Sequence, residues 1–398
     1  MSNEEPLERH YPRRSFIKKA GIGVLGLGIA GSIVSESEAA KKSSLNPDSM
    51  RIKDDVSPII DVHRHWLPET KQLLANYPTM AKIAEYMVGI KKGSGNEVIM
   101  VVEGITSVFD PRMGDLTLQL EDQKRSSVTK SILSMGPGLE TICKAAFWDN
   151  DGDLIRQIND VYLSTVAEHP EQLESMVNVN PFRKDSVKEC ERCINDLGAK
   201  GISIPTSWEG EFVSSSDVDF FWEYSEDRGI AVFMHPAFIP YGIENMHEYK
   251  LEEVVGRPCE TALCITKMIY SGVFDRFPKL KVVLPHMGGA LPNIIGRLDF
   301  AYRMGYEGFP AEEKAVCKRM PSDYLKTNLF VDIMGFSSLG IRHVIDLFGA
   351  DRVLFGTDYG PIPFLQAEHV TKVRALELRP NEEESILWKN AAKLFKLV

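Results

Sequence analysis

Ile59-Ile60-Asp61-Val62-His63-Arg64-His65 begins as an apolar run and ends in two histidines. Three later apolar runs end in the same manner, at His235, His286 and Asp358. Each of these side chains can bind a metal or transfer a proton. A continuous hydrophobic run is typical of a strand that is buried on both faces of a parallel sheet. Chemistry in a (β/α)8 barrel lies where its strands end, so the pattern predicts a site at the mouth of such a barrel.

Strand patterns alternate with helical patterns along most of the chain. Alternation of this kind predicts a parallel sheet. Eight such units predict an α/β fold, a (β/α)8 TIM barrel with an insertion after the first strand and a C-terminal helix at 382–397. The predicted strands are residues 59–63, 128–134, 174–180, 201–205, 230–235, 281–285, 328–333 and 352–358.

Residues 67–127 are too many for a simple connection between a strand and the next helix. They contain a turn signal at 93–96 and an apolar run at 98–102. We interpret this segment as an insertion that serves as a lid or a dimerisation element. The barrel domain is expected to span 58–398, after an extended lead-in at 41–57.

The composition excludes some classes of partner. Of the 398 residues, 43% are hydrophobic, which is ample for one large core. The formal net charge is −10, and the body of the chain has no basic block. Nucleic acid is therefore not an expected partner.

The N-terminal segment differs in character from the rest. Arg13-Arg14-Ser15-Phe16-Ile17-Lys18 is followed by an apolar run at 20–34 and by small residues up to Ala40. This order is typical of a secretory signal, and the paired arginines indicate the twin-arginine type. We predict a signal peptide at 1–40, recognised by the twin-arginine export machinery, and a periplasmic or exported protein. The alternative is a basic tail before an apolar anchor.

The strand-end residues form a plausible ligand set for one divalent ion. His63 and His65 are separated by one residue, so their side chains point to the same face of a strand. With His235 and Asp358 they offer three nitrogens and one oxygen, which leaves a position open for catalysis. His286 precedes Met287-Gly288-Gly289, and we assign it as the general acid/base, with Asp358 sharing in proton transfer. The alternative roles of His286 are a fifth ligand or a hydrogen-bonding spacer.

Six cysteines are too few for a disulfide scaffold in a chain of this length. Cys190 and Cys193 form a CxxC pair, but they lie in a helical pattern and no second pair completes a tetrahedral site. We interpret them as core residues.

Several stretches together resemble the amidohydrolase superfamily, and within it the group of aminocarboxymuconate semialdehyde decarboxylase. The stretches are Asp61-Val62-His63-Arg64-His65, Gly198-Ala199-Lys200-Gly201-Ile202, Met234-His235-Pro236, Pro285-His286-Met287-Gly288-Gly289, Gly356-Thr357-Asp358-Tyr359 and Asn390-Ala391-Ala392-Lys393-Leu394-Phe395. The resemblance implies His63, His65, His235 and Asp358 as ligands of one zinc, and His286 as catalytic base. The usual proline after Thr-Asp-Tyr is replaced by Gly360.

The resemblance also bears on the metal count and on the substrate pocket. Binuclear members have a carboxylated lysine at the end of the fourth strand, whereas Lys200 lies at its start, so one ion is expected. Zinc is the first expectation, with manganese or iron as alternatives. Arg297 matches a position in the family whose side chain can reach an active site, sometimes that of a neighbouring subunit. An arginine there would bind a substrate carboxylate. Its alternative is a surface ion pair with Asp299.

Two further residues flank the ligands, Arg64 and Trp66, and both are predicted to line the substrate pocket. The family also implies a homodimer and a small-molecule substrate. The predicted function is a metal-dependent hydrolase in which a metal-activated water and the His286 base act on a small carboxylate, ester, lactone or amide. The first alternative is a non-oxidative decarboxylase of an aromatic or muconate-like acid. The second is an exported metal-binding protein without catalysis.

Overall fold

The computed structural model describes residues 57–68, 91–92, 98–102, 105–145, 151–305, 314–362 and 364–397. The predicted signal peptide, nearly all of the predicted lead-in and the predicted turn at 93–96 lie outside the described residues. Within the described part of the chain, no helix combines the length and the apolar character that a membrane span requires.

Eight parallel strands follow one another around a barrel in chain order. The strand register closes the ring between the last strand and the first, because Val62 N donates to Phe355 O (3.0 Å) and His65 N donates to Tyr359 O (2.9 Å). The predicted (β/α)8 barrel is thus confirmed. Its strands are β1 (Ile60–His65), β2 (Lys130–Ser134), β3 (Leu173–Asn178), β4 (Gly201–Pro205), β5 (Ala231–His235), β6 (Lys281–Leu284), β7 (Leu329–Asp332) and β8 (Val353–Leu354).

Helices occupy most of the connections between these strands. The described helices are Leu116–Arg125, Gly138–Ala145, Asp151–Glu168, Ser186–Glu191, Asp219–Asp227, Arg257–Tyr270, Val273–Arg276, Leu291–Met304, Pro321–Leu325, Ser338–Phe348, Gln366–Arg374, Pro380–Glu384 and Asn390–Leu394. Capping residues mark the ends of two of these helices. Ser337 caps the helix Ser338–Phe348 by accepting from Gly340 N, and Gly305 ends the helix Leu291–Met304 with φ 64°.

The segment between β1 and β2 contains a small sheet of its own. Strands Lys91–Lys92, Val98–Val102 and Ile105–Phe109 pair in antiparallel fashion, with Val98 opposite Phe109. The helix Leu116–Arg125 then leads into β2. An insertion after the first strand is therefore present, and its role as a lid or dimerisation element stays a prediction.

The interior of the barrel is filled below the mouth by apolar side chains. Ile60, Val62 and Phe233 belong to this cluster, and the C-terminal helix contributes Leu394 and Phe395. A Cβ added to Gly201 would lie 2.9 Å from the ring of Phe395, so glycine is required where this helix meets the barrel. The predicted C-terminal helix therefore packs against the apolar interior of the barrel.

Two strands deviate from the pattern predicted by the sequence. The register between β1 and β2 shifts between Asp61 and Arg64, which marks a β-bulge. Since Val62 already packs in the barrel interior, the bulge brings His63 to the same side. The eighth strand was predicted to reach Asp358, but β8 ends at Leu354. The following residues stay hydrogen-bonded to β1 at Phe355 and Tyr359, with φ 56° at Asp358 between them.

Candidate metal centre

His63 and His65 meet at the mouth, as their spacing predicted. Both side chains are buried, and their Nε2 atoms are 3.1 Å apart. His63 Nδ1 lies 2.7 Å from Asp332 Oδ2, and His65 Nδ1 lies 3.0 Å from the carbonyl oxygen of Ser134. Because these partners can only accept, both Nδ1 atoms carry the proton. The Nε2 lone pairs therefore face the centre of the mouth.

His235 and Asp358 complete the inner wall of the site. His235 ends β5, and its Nδ1 donates to the carbonyl oxygen of Pro236 at 2.9 Å, so its Nε2 is also left without a proton. Asp358 Oδ1 lies 3.3 Å from Nε2 of both His63 and His65. The left-handed backbone at Asp358 is uncommon for a residue other than glycine and is typical of functional sites.

His286 approaches the same point from a strained turn. His286 and Met287 have φ of 54° and 57°, directly after β6. His286 Nε2 lies 3.3 Å from Asp358 Oδ2, and its ring centroid is 5.1 Å from that of His63 and 5.2 Å from that of His235. Its side chain is 17% exposed, unlike the sealed ring of His63, so it can reach a bound molecule. Catalytic base and fifth ligand both stay open as its role.

These residues fit a divalent cation. One ligand atom from each of His63, His235, His286 and Asp358 lies within 4.8 Å of the others, and His65 joins through its contacts with His63 and Asp358. Among the residues that the structure describes, none donates a hydrogen bond to the buried Asp358 Oδ1. Lone pairs that face lone pairs and a carboxylate repel one another unless a cation lies between them. The structure thus supports a divalent metal, although it does not select zinc.

The pKa shifts in the protein without metal also indicate that positive charge is favoured at this point. Burial opposes a proton on His63, but the carboxylates of Asp358 and Asp332 outweigh it and raise the pKa of His63 to about 10. The pKa of His235 lies well below its ordinary range, because the ring is buried among the other histidines. Burial works to raise the pKa of Asp358, yet contacts with His63 and His286 hold it well below its usual range.

Asp332 was missed in the sequence analysis. It ends β7, holds His63 Nδ1 through Oδ2, and accepts from Met287 N (3.2 Å) and Met334 N (3.0 Å) through Oδ1. It therefore orients a ligand ring and also fixes the turn that carries His286. The available signal was an acid at the end of an apolar strand, the same signal that marked Asp358.

Three glycines provide the room that the site requires. A Cβ on Gly136 would lie 2.4 Å from the His65 ring, and one on Gly356 would lie 2.9 Å from Cβ of His63. Gly360 has φ 122°, and a Cβ there would lie 2.4 Å from the carbonyl oxygen of His65. The usual family proline could not adopt that φ, which accounts for the departure noted in the sequence.

Arg64 and Trp66, which were predicted to line the substrate pocket, contact other parts of the protein. Arg64 points away from His63 and His65, because neighbouring residues on a strand face opposite sides, and its guanidinium donates to Gln119 and Gln123. Trp66 packs against Tyr162, with ring centroids 5.6 Å apart, and lies under the helix Asp151–Glu168. A place for either residue in the substrate pocket stays a prediction.

Arg297 lies on the exposed face of the helix Leu291–Met304. Asp299, the example of an acid that could pair with Arg297 on the helix surface, accepts from Ser322 N through Oδ1 at 2.9 Å. The contribution of Arg297 to a neighbouring subunit stays a prediction.

Lys200 precedes β4 and is remote from the strand end, as expected. Cys190 and Cys193 are buried free thiols, which agrees with a role in the core.

Fold and site together define a metal-dependent enzyme on a (β/α)8 barrel. The pattern of the amidohydrolase family matches residues 60–397, and the chain belongs to this family. It is accordingly a metal-dependent hydrolase or decarboxylase of the amidohydrolase superfamily.

The chain is also similar to curated relatives in sequence and to solved structures in fold. A 2-amino-3-carboxymuconate-6-semialdehyde decarboxylase from Dictyostelium discoideum is 28% identical over 347 residues, covering 85% of this chain and 91% of the relative. A gamma-resorcylate decarboxylase from a Rhizobium species is 29% identical over 257 residues, covering 62% and 76%. A 5-carboxyvanillate decarboxylase from Novosphingobium aromaticivorans, solved with manganese, superposes with a TM-score of 0.70 at 24% identity, covering 85% and 96%.

Proposed function

We propose that the protein is a metal-dependent, non-oxidative decarboxylase of an aromatic or muconate-like acid. The observation that carries this proposal is the similarity, along most of the chain, to relatives that are decarboxylases. Hydrolysis, the first expectation from the sequence, uses the same ligands and base, so the site alone does not separate the two reactions. The relatives favour decarboxylation.

The residues of the mouth have distinct tasks in this reaction. A bound divalent metal supplies positive charge that polarises a substrate oxygen. His286 delivers a proton from Nε2 to the carbon that carries the leaving carboxylate, and that carbon then releases CO2. Asp358 Oδ2 lies 3.3 Å from His286 Nε2 and stabilises the protonated ring before transfer. Asp332 keeps the His286 turn in place through Met287 N.

The reaction can be tested directly with metal-loaded protein. We expect CO2 release from at least one of 2,6-dihydroxybenzoate, 5-carboxyvanillate and 2-amino-3-carboxymuconate-6-semialdehyde, and no hydrolysis of a panel of lactones and esters. His286→Asn should keep its metal and lose CO2 release. Hydrolysis of the panel without CO2 release would establish the first expectation instead.

The identity of the metal is a separate proposal. Three imidazoles and a carboxylate suit zinc, and we propose one zinc ion per chain. Manganese is the alternative, since it is the metal in the solved 5-carboxyvanillate decarboxylase. Elemental analysis of protein purified from its native host should give one equivalent of a single metal, and two equivalents would contradict a mononuclear site.

We also propose that the protein is exported by the twin-arginine route. The support is the N-terminal sequence, in which Arg13-Arg14-Ser15-Phe16-Ile17-Lys18 precedes the apolar run. Replacing Arg13 and Arg14 by lysine should retain the precursor in the cytoplasm, while a lysine replacement of Arg112, in the body of the chain, should not. Export of the paired-lysine variant would contradict the proposal.

A homodimer is proposed as the assembled state. The support is the helix Leu291–Met304, whose outer face carries Arg297 together with Phe300 (62% exposed) and Met304 (56% exposed). Sedimentation should show a dimer that Phe300→Glu converts to a monomer. A wild-type monomer at micromolar concentration would rule it out.

A further inference from the structure

Arg257 lies beside the turn that carries His286. It is the first residue of the helix Arg257–Tyr270, after the π-helical turn Glu252–Gly256. The carbonyl oxygen of Pro258 accepts from Ala290 N at 3.0 Å, and a Cβ on Gly289 would lie 2.4 Å from the same oxygen. The start of this helix is therefore packed directly on the segment that follows His286.

One edge of the Arg257 guanidinium has no partner. Its Nε and Nη2 are buried and make no hydrogen bond within the described part of the chain. Its Nη1 lies 3.9 Å from Glu253 Oε1, which is beyond hydrogen-bond distance. Nε and Nη2 form the edge that binds a carboxylate with two parallel hydrogen bonds. Arg64, another buried arginine, donates from Nε and Nη1, and only its Nη2 lacks a partner among the described residues.

The surroundings of Arg257 connect it to the mouth. Its guanidinium lies over the ring of Phe238, 5.0 Å from the centroid, and Phe238 follows His235 by three residues. Burial lowers the pKa of Arg257, while the charges of Glu253 and Asp358 act against this effect. Asp358 is thus within electrostatic reach of Arg257. A buried charged donor without a partner is unfavourable, and a ligand that supplies the acceptors is one explanation for it.

We propose that Arg257 binds a carboxylate of the substrate that is retained in the product, so that the enzyme selects dicarboxylic acids. This inference rests on the proposed decarboxylation. Decarboxylation removes the charge of the leaving carboxylate, so a guanidinium bound to that group would stabilise the substrate more than the transition state. A retained carboxylate keeps its charge throughout, and its contact with Arg257 orients the ring or chain for His286.

Binding at the open edge requires a movement of the side chain, because Nε and Nη2 are buried. The Arg257 side chain as a whole is 15% exposed. In the proposed complex, its rotation turns Nε and Nη2 toward a ligand in the mouth. The ligand then supplies the acceptors that the protein itself lacks.

A matched pair of ligands tests this selectivity by binding alone. Salicylate and 4-hydroxyisophthalate differ only in a second carboxylate. Calorimetric titration of manganese-loaded protein should show at least about 10-fold tighter binding of the diacid, as expected for a charged hydrogen-bonded pair. Arg257→Met should abolish this preference and leave salicylate affinity unchanged, and Arg257→Lys should retain only part of it. Equal or absent binding of the two probes by the wild type would overturn the inference.

Controls separate a binding role from a structural one. Arg276→Met removes an arginine that is paired with Asp219 elsewhere, and it should leave the affinity for both probes unchanged. Arg257→Met should keep or raise the melting temperature, because the buried edge it removes is unpaired. Unfolding of Arg257→Met, or equal weakening of both probes, would overturn the inference. The protein could also show the Arg257-dependent preference for the diacid and yet release no CO2. That result would refute only the proposed decarboxylation and would leave the role of Arg257 standing.

Discussion

The two faces of β1 at the barrel mouth bury charged or polar side chains in opposite ways. On the inner face, His63 and His65 direct lone pairs at each other and at Asp358. On the outer face, Arg64 donates to Gln119 and Gln123 and lies over Tyr359, 5.7 Å from the ring centroid. Burial alone therefore does not identify a functional residue. A functional site is identified when acceptors that lack donors converge on one point, because only a cation can satisfy them.

The largest difference between these faces should appear when one residue of each is removed. His63→Ala should lose bound metal and lower turnover by about 1,000-fold or more, because a ligand and its charge complement disappear. Arg64→Met should keep one metal per chain. Elemental analysis and kinetic assays on both variants provide the measurement, and equal metal loss in the two would contradict the contrast.

The outer face should instead govern stability. Arg64→Met leaves two buried glutamine amides without their donor and should lower the free energy of unfolding by about 3 kcal/mol. Urea denaturation of metal-saturated protein measures this effect. Gln366→Leu serves as the comparison, because it removes a neutral buried amide that donates to Asp61, whereas Arg64→Met removes a charged donor. An unchanged stability of Arg64→Met would show that its network is dispensable.

A smaller effect is expected from the residue that supports the inner face. Asp332→Asn weakens the orientation of His63 and should lower metal affinity by about 10-fold to 100-fold without changing the ligand set. Competition with a chelator of known affinity measures it. Asp299→Asn, an acid that accepts from Ser322 N away from the mouth, should bind metal like the wild type. A full loss of metal in Asp332→Asn would mean that Asp332 is itself a ligand.

The smallest effect concerns pH and metal-free protein. The pKa of buried His63 is raised from 6.5 to about 10, so its proton stabilises the fold fully below pH 6.5 and loses that contribution as pH rises toward 10. Bound metal replaces the proton, and the loaded protein should lack this dependence. Melting temperatures between pH 6.5 and 9.5 test the sign. A metal-free protein that gains stability over this range would refute it.

Sequence reasoning predicted the inner face better than the outer one. His235, His286 and Asp358 each end an apolar run, and parallel strands bring such ends to one rim. Adjacency to the ligands in sequence was a weaker guide for Arg64, whose guanidinium lies on the outer face because side chains on a strand alternate.

Other features depend on tertiary contacts that no local pattern encodes. The bulge between Asp61 and Arg64 and the left-handed φ at Asp358 follow from how β1 and the end of β8 pack around the mouth. Asp332 was overlooked because the predicted strand ran to residue 333, which placed this acid inside the strand, whereas the strand ends at Asp332.

Gly360 limits which residues the chain can carry beside its predicted metal ligands. Its φ of 122° and its closeness to the His65 carbonyl fix a backbone path that proline cannot follow. A proline substituted at this position alone would therefore displace the strand that carries His63 and His65. Position 360 thus restricts variation at the site, although it offers no ligand of its own.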